Sequence, residues 1–439
     1  MTASRPRVGS RPRLSGPARL TVALLFAAWF IDYADRLIIN LVLPSIGEEF
    51  DLSRSQQGVV LSVFFLAYAL CQIPGGMLAD RFGGRRMVLW ALAAWTVFTV
   101  LTGFAWSFAA LLVLRVLFGL AQGVFPPAAA KVLAERTGKE ERMRANGLVL
   151  SSNSLAAVFT PLAVAPLVAA FGWRSAYISV AAIGVFVYTA IRMRLPQPLP
   201  QAPGEEAGDS AAAEGSAAAP RSDVRALLRW GTLWRFAAMM FGYSIIIWGL
   251  NSWVPTYLND ERGVPIEAAG PLLAVPALAA TVGTIIGGQL SDRLAGHHWK
   301  VIVPGMSVAA AALLLMAYAS GLAAFVVFGT LAIFATSLSY MPIFAVPMRS
   351  LPARQMGVAT GVIIFGGQLA GVVAPSVMGV LADAFSFQVA FAFLVLGAVV
   401  AAVMACLTPQ TTEALLADAR GRVPDAVKES SPSMEKELP

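Results

Sequence analysis

At 439 residues, with 57% hydrophobic against 13% charged residues and a mean hydropathy of +0.70, the chain is too apolar for a soluble protein, in which roughly a quarter of residues are charged. Its net charge of +7 comes from arginines clustered between apolar stretches, so it reflects membrane topology rather than nucleic-acid binding. Cys71 and Cys406 read as two buried thiols without partner spacing, which argues against a disulfide or metal framework; no cofactor is expected.

Apolar stretches of about 20 residues, the length that crosses a bilayer, occur at 20–43, 56–79, 87–105, 107–131, 145–170, 174–195, 232–257, 267–290, 300–320, 322–347, 357–381 and 385–408. Twelve membrane helices are expected. The first span carries Asp32, Tyr33, Asp35, Arg36 and Asn40 in its middle. A charge at the bilayer centre costs at least about 2.5–3.5 kcal/mol, so three ionisable groups in one span point to a buried site. On a helix, Asp32, Tyr33, Arg36 and Asn40 share one stripe with Asp35 at its edge. That stripe is expected to face a pathway in which Arg36 grips an anion. The competing reading, an Asp32–Arg36 pair that only holds helices together, leaves a carboxylate to spare.

The second span ends in Gly76-x-x-x-Asp80-Arg81-x-Gly83-x-Arg85-Arg86, and the fourth holds Arg115-x-x-x-Gly119-x-x-x-Gly123 with Gln122 beside it. The glycines permit close helix packing on the face of a buried cation. Basic residues alternate between loops. Arg5, Arg7, Arg11, Arg13 and Arg19 precede the first span, Arg81, Arg85 and Arg86 follow the second, and Lys131, Arg136, Lys139, Arg142 and Arg144 follow the fourth; the opposite loops offer Arg54, Arg174 and Arg262. Both ends are therefore expected in the cytoplasm, and the Arg-rich start does not read as a cleaved signal sequence.

Residues 196–230 are rich in Pro, Gly, Ala and Ser and read as a flexible linker. They divide a basic start (1–19) and a first six-helix bundle (20–195) from a second bundle (231–408) and a cytoplasmic tail (409–439). The halves repeat. Gly75-Gly76-Met77-Leu78-Ala79-Asp80-Arg81 recurs as Gly287-Gly288-Gln289-Leu290-Ser291-Asp292-Arg293, and Pro161 recurs at Pro375 with an offset only two residues different. Parallel repeats of this kind imply two bundles with a substrate held between them near the midplane. Asp80 and Asp292 with Arg81, Arg85 and Arg293 are candidates for charge pairs that latch the cytoplasmic face. Asn153, Tyr243, Trp248, Asn251, Tyr340 and Gln368 lie at midplane depth in spans expected to line the cavity. The absence of Arg or Lys from Tyr243 to Asn251 weighs against an organophosphate exchanger, which needs a cation from each half. His297-His298 reads as a solvated turn.

The glycine and arginine signatures after the second span and in the fourth resemble the major facilitator superfamily, with Gly84 departing where a basic residue is usual. The segments Ile31-Asp32-Tyr33-Ala34-Asp35-Arg36, Gly119-Leu120-Ala121-Gln122-Gly123-Val124-Phe125-Pro126-Pro127 and Gly172-Trp173-Arg174 further resemble its anion:cation symporter family, which includes galactonate and hexuronate carriers. That resemblance implies an all-α fold of twelve membrane helices in two six-helix bundles related by a pseudo-twofold. It implies Asp35 as a proton-binding aspartate, Arg36 as the substrate-carboxylate ligand, Tyr33 and Tyr68 as pocket tyrosines, Arg115 as a coupling arginine and Gln368 as a pocket amide. Gln122 stands where sugar-acid carriers have a protonatable glutamate, and Asp32 where Asn is usual. The second proton site has moved to Asp32, or it has been lost.

The expected function is proton-coupled symport of a small organic anion, a sugar acid or another carboxylate, by a monomer in the plasma or inner membrane. Its partners are the anion, protons and lipid. The alternative is a proton-driven antiporter exporting amphipathic compounds, for which Arg36 would have no use. No nucleophile–base set, metal cluster or phosphate loop suggests an enzyme, and residues 409–439 are too short and polar for a signalling domain.

Overall fold

The computed structural model describes residues 14–199, 221–294 and 297–420. Arg5, Arg7, Arg11 and Arg13, most of the expected linker and the tail beyond 420 lie outside the described residues. Among the described residues the chain is all helical. The first half holds α1 (Gly16–Glu49), α2 (Arg54–Phe82), α3 (Gly84–Gly103), α4 (Phe108–Ala134), α5 (Lys139–Phe171) and α6 (Trp173–Arg194). After a short α7 (Arg221–Arg229), the second half holds α8 (Gly231–Asp260), α9 (Ile266–Arg293), α10 (Trp299–Ala317), α11 (Leu322–Ser337), α12 (Tyr340–Ser350), α13 (Ala353–Ala384) and α14 (Phe387–Leu407), followed by α15 (Thr412–Ala419). The tenth span is thus two helices, broken at Leu338 and Ser339. Of the twelve spans, eleven are apolar enough to cross a membrane by composition alone, and α1 with its central charges is the exception.

Local chemistry sets the ends of these helices. Ser53 Oγ accepts from Gln56 N (3.2 Å) while Gln56 Oε1 accepts from Ser53 N (2.9 Å), a reciprocal cap that starts α2. Gly83 (φ +86°) and Gly172 (φ +77°) make the sharp turns into α3 and α6; the space around each is open, and it is the positive φ that would strain any residue with a side chain. Buried apolar side chains form two clusters, one from Val22 to Leu195 joined by Ala269, the other from Leu227 to Ala419. In the first, a Cβ on Gly119 would stand 2.7 Å from the Phe64 carbonyl and one on Gly123 2.6 Å from that of Tyr68. The glycines therefore let α4 press directly onto α2. Gly283 of α9 meets the Phe334 carbonyl of α11 in the same way, at 2.6 Å.

The chain enters α1 and leaves α14 on one side, the terminal side, and the halves are joined across the opposite, far side. There Asp383 of α13 accepts from Arg54 N (3.0 Å), Ser55 N (2.7 Å) and Ser55 Oγ (2.6 Å) at the start of α2. Arg54 also pairs with Glu261 at 3.0 Å, and Ser376 Oγ donates to Ser62 Oγ at 2.8 Å. Deeper in, the Phe65 and Trp248 rings meet at 4.6 Å.

Four expectations need correction. The segment read as a featureless linker ends in a helix, because Leu227 and Trp230 bury into the second core. The tail is likewise anchored. Asp418 of α15 accepts from Trp230 Nε1 (2.8 Å) and Thr232 Oγ1 (2.5 Å), and Leu415 is fully buried. His298 is not a solvated turn residue, since its ring is buried 5.7 Å from that of Phe236. Cys406 is exposed on the outer surface of α14, and Cys71 is half-buried.

Candidate functional site

The polar centre of α1 is buried as a whole: Asp32 is 0%, Asp35 1% and Arg36 7% exposed. Residues four apart on a helix stack one above the other, and Arg36 Nη2 meets Asp32 Oδ2 at 3.2 Å. The guanidinium lies 4.5 Å from the Tyr68 ring centroid, 5.2 Å from Phe64 and 5.9 Å from Tyr33, so aromatic faces hold it on the sides that carboxylates leave free. Gln122 of α4 donates to the Asp32 main-chain carbonyl at 3.1 Å. Three polar atoms of this group, Asp32 Oδ1, Arg36 Nε and Gln122 Oε1, are buried without a partner. Such atoms are expensive in a closed core, and they mark the place where a further polar group would be accepted.

Asp35 points elsewhere. It does not pair with Arg36, because adjacent helical residues diverge by about 100° and Arg36 is held by Asp32. Asp35 Oδ2 instead takes a hydrogen bond from Thr99 Oγ1 of α3, which also lies 2.9 Å from the Trp95 carbonyl. Arg115, 2% exposed, interacts electrostatically with Asp35 and with Tyr177 of α6. Phe64 touches both cations: its ring is 5.2 Å from the guanidinium carbon of Arg36 and 5.2 Å from that of Arg115. The first half therefore holds two charge groups, the Asp32–Arg36 pair and Asp35 with Arg115, whose two cations meet one aromatic ring.

From the second half come neutral groups. Tyr243 of α8 and Tyr340 of α12 pack with centroids 5.4 Å apart, and Tyr33 is within electrostatic reach of both. Gln368 of α13 is half-buried, as is Asn153, which comes from α5 of the first half; Asn153 Oδ1 and Gln368 Oε1 lack partners. Trp248 meets Phe65 across the halves in a tilted contact. Asn251 is half-buried two turns along from Tyr243 on α8. Reading the chain alone missed Phe64, Thr99 and Tyr177. Thr99 belongs to a series with Thr96 and Thr102 along one face of α3, a signal that was available; Phe64 and Tyr177 look like ordinary core.

The ion pairs on the terminal side differ from the expected latch. Asp80 pairs with Lys131 at 2.7 Å and Asp292 with Arg349 at 2.6 Å, each within one half. Arg81 is one residue on from Asp80 and so faces away, over the Phe82 ring at 5.3 Å. Arg85 donates to the Arg192 carbonyl at 2.8 Å. Arg293, next to Asp292, is likewise displaced by Arg349 as the aspartate's partner. The repeat survives in these pairs: an aspartate at the end of the second helix of each half meets a cation from the fourth.

Twelve spans in two glycine-packed halves, enclosing a charged centre, define a membrane transporter rather than an enzyme. Residues 25–375 and 282–431 match the model of the Major Facilitator Superfamily, and the chain belongs to that family. It is 30% identical over 380 residues to a probable sulfoacetate transporter of Cupriavidus necator, covering 83% of this chain and 87% of that one. It is 29% identical to a probable galactarate/D-glucarate transporter of Escherichia coli, covering 88% and 93%. A hexuronate transporter of Bacillus subtilis is 25% identical, covering 82% and 87%. Among solved structures, a bacterial homolog of the human lysosomal transporter Spinster, in an inward-facing and unoccupied conformation, superposes with a TM-score of 0.77 at 19% identity, over 93% of this chain and 99% of that one.

Proposed function

We propose that this transporter carries a small organic anion, a sugar acid or a related carboxylate or sulfonate, together with protons, by alternating access between its two halves. The observation that carries the reading is Arg36: a buried guanidinium, paired on one edge by Asp32, with Nε unpartnered. Guanidinium binds planar anions through two parallel N–H donors. An incoming carboxylate takes the place of Asp32 on Arg36, and Asp32 takes up a proton as it is displaced. Tyr33, Tyr68, Gln122 and Asn153, with Tyr243, Asn251 and Gln368 from the second half, supply neutral hydrogen bonds to the rest of the anion. Asp35, beside Arg115, is a second proton carrier.

The arginines at the start of α1 and after α2, α4 and α6 favour a cytoplasmic terminal side. With the halves joined on the far side, this conformation would then open to the cytoplasm. Asp80–Lys131 and Asp292–Arg349 shape the terminal side of each half and stand ready for a latch in the opposite state. The relatives' names, transporters of sulfoacetate, galactarate/D-glucarate and hexuronate, favour the anion reading over export of amphipathic compounds.

The test is uptake into proteoliposomes by the full chain, with sulfoacetate, galactarate, D-glucarate, D-galactonate and a hexuronate as probes, with and without an inward proton gradient. Gradient-driven accumulation of at least one anion is expected. Uptake of none would overturn the substrate class, and uptake indifferent to the gradient would overturn the coupling.

A further inference from the structure

Thr96, Thr99 and Thr102 occupy one face of α3, and each hydroxyl turns back to a carbonyl of its own helix: Thr96 to Leu92 (2.6 Å), Thr99 to Trp95 (2.9 Å) and Thr102 to Phe98 (2.7 Å). Thr99 differs from the other two. Its Oγ1 is at the same time in hydrogen-bond contact with Asp35 Oδ2, and both residues are 1% exposed. A hydroxyl has one proton and two lone pairs. It cannot donate to a carboxylate and to a carbonyl at once.

Counting protons resolves the arrangement. If Asp35 is ionised, Thr99 turns its proton to the carboxylate, and the Trp95 carbonyl keeps only its main-chain helical bond. If Asp35 carries a proton on Oδ2, the carboxyl donates to Thr99 Oγ1 and Thr99 donates to Trp95, so that both contacts are filled. Rotation of one O–H bond exchanges the two patterns, and no heavy atom has to move. We infer that Thr99 is a positioning residue for proton uptake, a hydroxyl switch that holds Asp35 against α3 in either protonation state. The inference rests on the reading of Asp35 as a proton carrier.

The groups facing Asp35 leave this task to Thr99. Arg115 reaches it from α4 and Tyr177 from α6 electrostatically, while on α1 itself Asp32 contributes a second negative charge. Arg36 is engaged by Asp32. Among the hydrogen bonds to Asp35 in the described residues, the one to its carboxyl group comes from Thr99, and Asp35 Oδ1 has none. Hydrogen bonds to an ionised partner are about twice as strong as those between neutral groups. Removing the hydroxyl therefore takes more from the ionised form, and protonation should occur at a higher pH by about one unit.

The experiment is an infrared difference titration of the full chain in liposomes, with protons as the probe and no substrate. The protonated-carboxyl band that disappears in Asp35→Asn gives the midpoint. Thr99→Val should move that midpoint about one pH unit toward alkaline, and Thr99→Ser, which keeps the hydroxyl, should restore it. Thr99→Cys, a weak donor of similar volume, is expected to shift like Val and carries the test if Thr99→Val does not reach the membrane. An unchanged midpoint in Thr99→Val or Thr99→Cys, or an equal shift in Thr99→Ser, overturns the inference. If instead no band is lost in Asp35→Asn, the reading of Asp35 as proton carrier falls, and the role of Thr99 falls with it; if the band is lost but Thr99→Val keeps the midpoint, the Thr99 inference alone falls.

Discussion

The junction on the far side is open to a direct perturbation, Asp383→Ala. An α-helix begins with N–H groups that have no partner within it. At the start of α2 the Ser53–Gln56 cap serves Ser53 N and Gln56 N from the same segment, whereas Arg54 N and Ser55 N are served by Asp383 from the other half. When the halves separate, these two amides pass to water, and the negative charge leaves the positive end of the helix. An N-cap is worth about 0.5–2 kcal/mol and a charge at a helix end about 0.3–1 kcal/mol. Because Asp383 is exposed, the lower part of each range applies. The nearby Arg54–Glu261 pair, 30% and 46% exposed, adds little. The sum is about 1–2 kcal/mol, a factor of about 5–30 in the ratio of joined to separated states. Pulsed electron paramagnetic resonance between spin labels at Glu48→Cys and Asn259→Cys, in a Cys71→Ser/Cys406→Ser background, reads that ratio in liposomes. Asp383→Ala should raise the far-side-open population by that factor, whereas Asp292→Ala, whose ion pair stays within one half, should not raise it. An unchanged distance distribution in Asp383→Ala would refute the assignment of the cross-half cap as the element that holds this side shut.

Arg36→Lys should lower uptake at least about tenfold while the protein still reaches the membrane, because an ammonium cannot reproduce the two-donor edge of a guanidinium; wild-type affinity in that variant would remove Arg36 as the anchor. Asp32→Asn should reduce the protons moved per anion, and Asp32→Asn with Gln122→Glu should restore them, as read from reversal potentials in proteoliposomes; an unchanged ratio in Asp32→Asn would make Asp32 structural. At the far end of α1, hydrogen bonds from Arg174 and Trp173 hold the Glu49 carboxyl below its usual range. A carboxyl lowered in the folded state stabilises above its ordinary value, and loses that contribution as pH falls through the lowered one. Glu49→Gln should therefore melt slightly below wild type at neutral pH, with the difference vanishing in acid, and a difference that persists in acid would contradict the assignment.

Much of the fold was legible because its signals are made by many residues at once. Span lengths and the Asp80/Asp292 repeat each rest on whole segments, and the glycines at 119 and 123 face α2 as their spacing suggests. The break at Leu338 and Ser339 was not legible, since α11 and α12 together read as one apolar stretch. The helix at Arg221–Arg229 and the burial of His298 were hidden for a related reason: each depends on a distant partner, Asp418 against the adjoining Trp230 or Phe236 on α8. At the site, residue types were readable and pairings were not. Asp32 and Asp35 both lie within reach of Arg36 along the chain, and only the direction of each side chain decides that Arg36 takes Asp32 while Asp35 turns to Thr99. Asp80 shows the same ambiguity: its neighbours Arg81 and Arg85 are the obvious cations, and in this conformation it pairs with Lys131.

The two halves repeat each other in their terminal-side ion pairs and glycine packing and differ in their buried charges. Asp80–Lys131 and Asp292–Arg349 correspond, as do the glycine contacts of α4 on α2 and of α9 on α11. The buried charges do not: Asp32, Asp35, Arg36 and Arg115 all belong to the first half, opposite Tyr243, Tyr340, Asn251 and Gln368 in the second. With both aspartates ionised, the four charges cancel. A carboxylate entering alone would leave a net negative charge in a low-dielectric core, a cost of several kcal/mol, which one proton on Asp32 removes as the anion takes Arg36. On the proposed reading each negative charge on the substrate therefore calls for one proton, and a dianion would have to draw on Asp35 as well. Because charge compensation is completed within one half, no ion pair at the site spans the halves among the described residues. The second half can then close over a neutral centre with hydrogen bonds and rings, and can withdraw without breaking a salt bridge in the membrane.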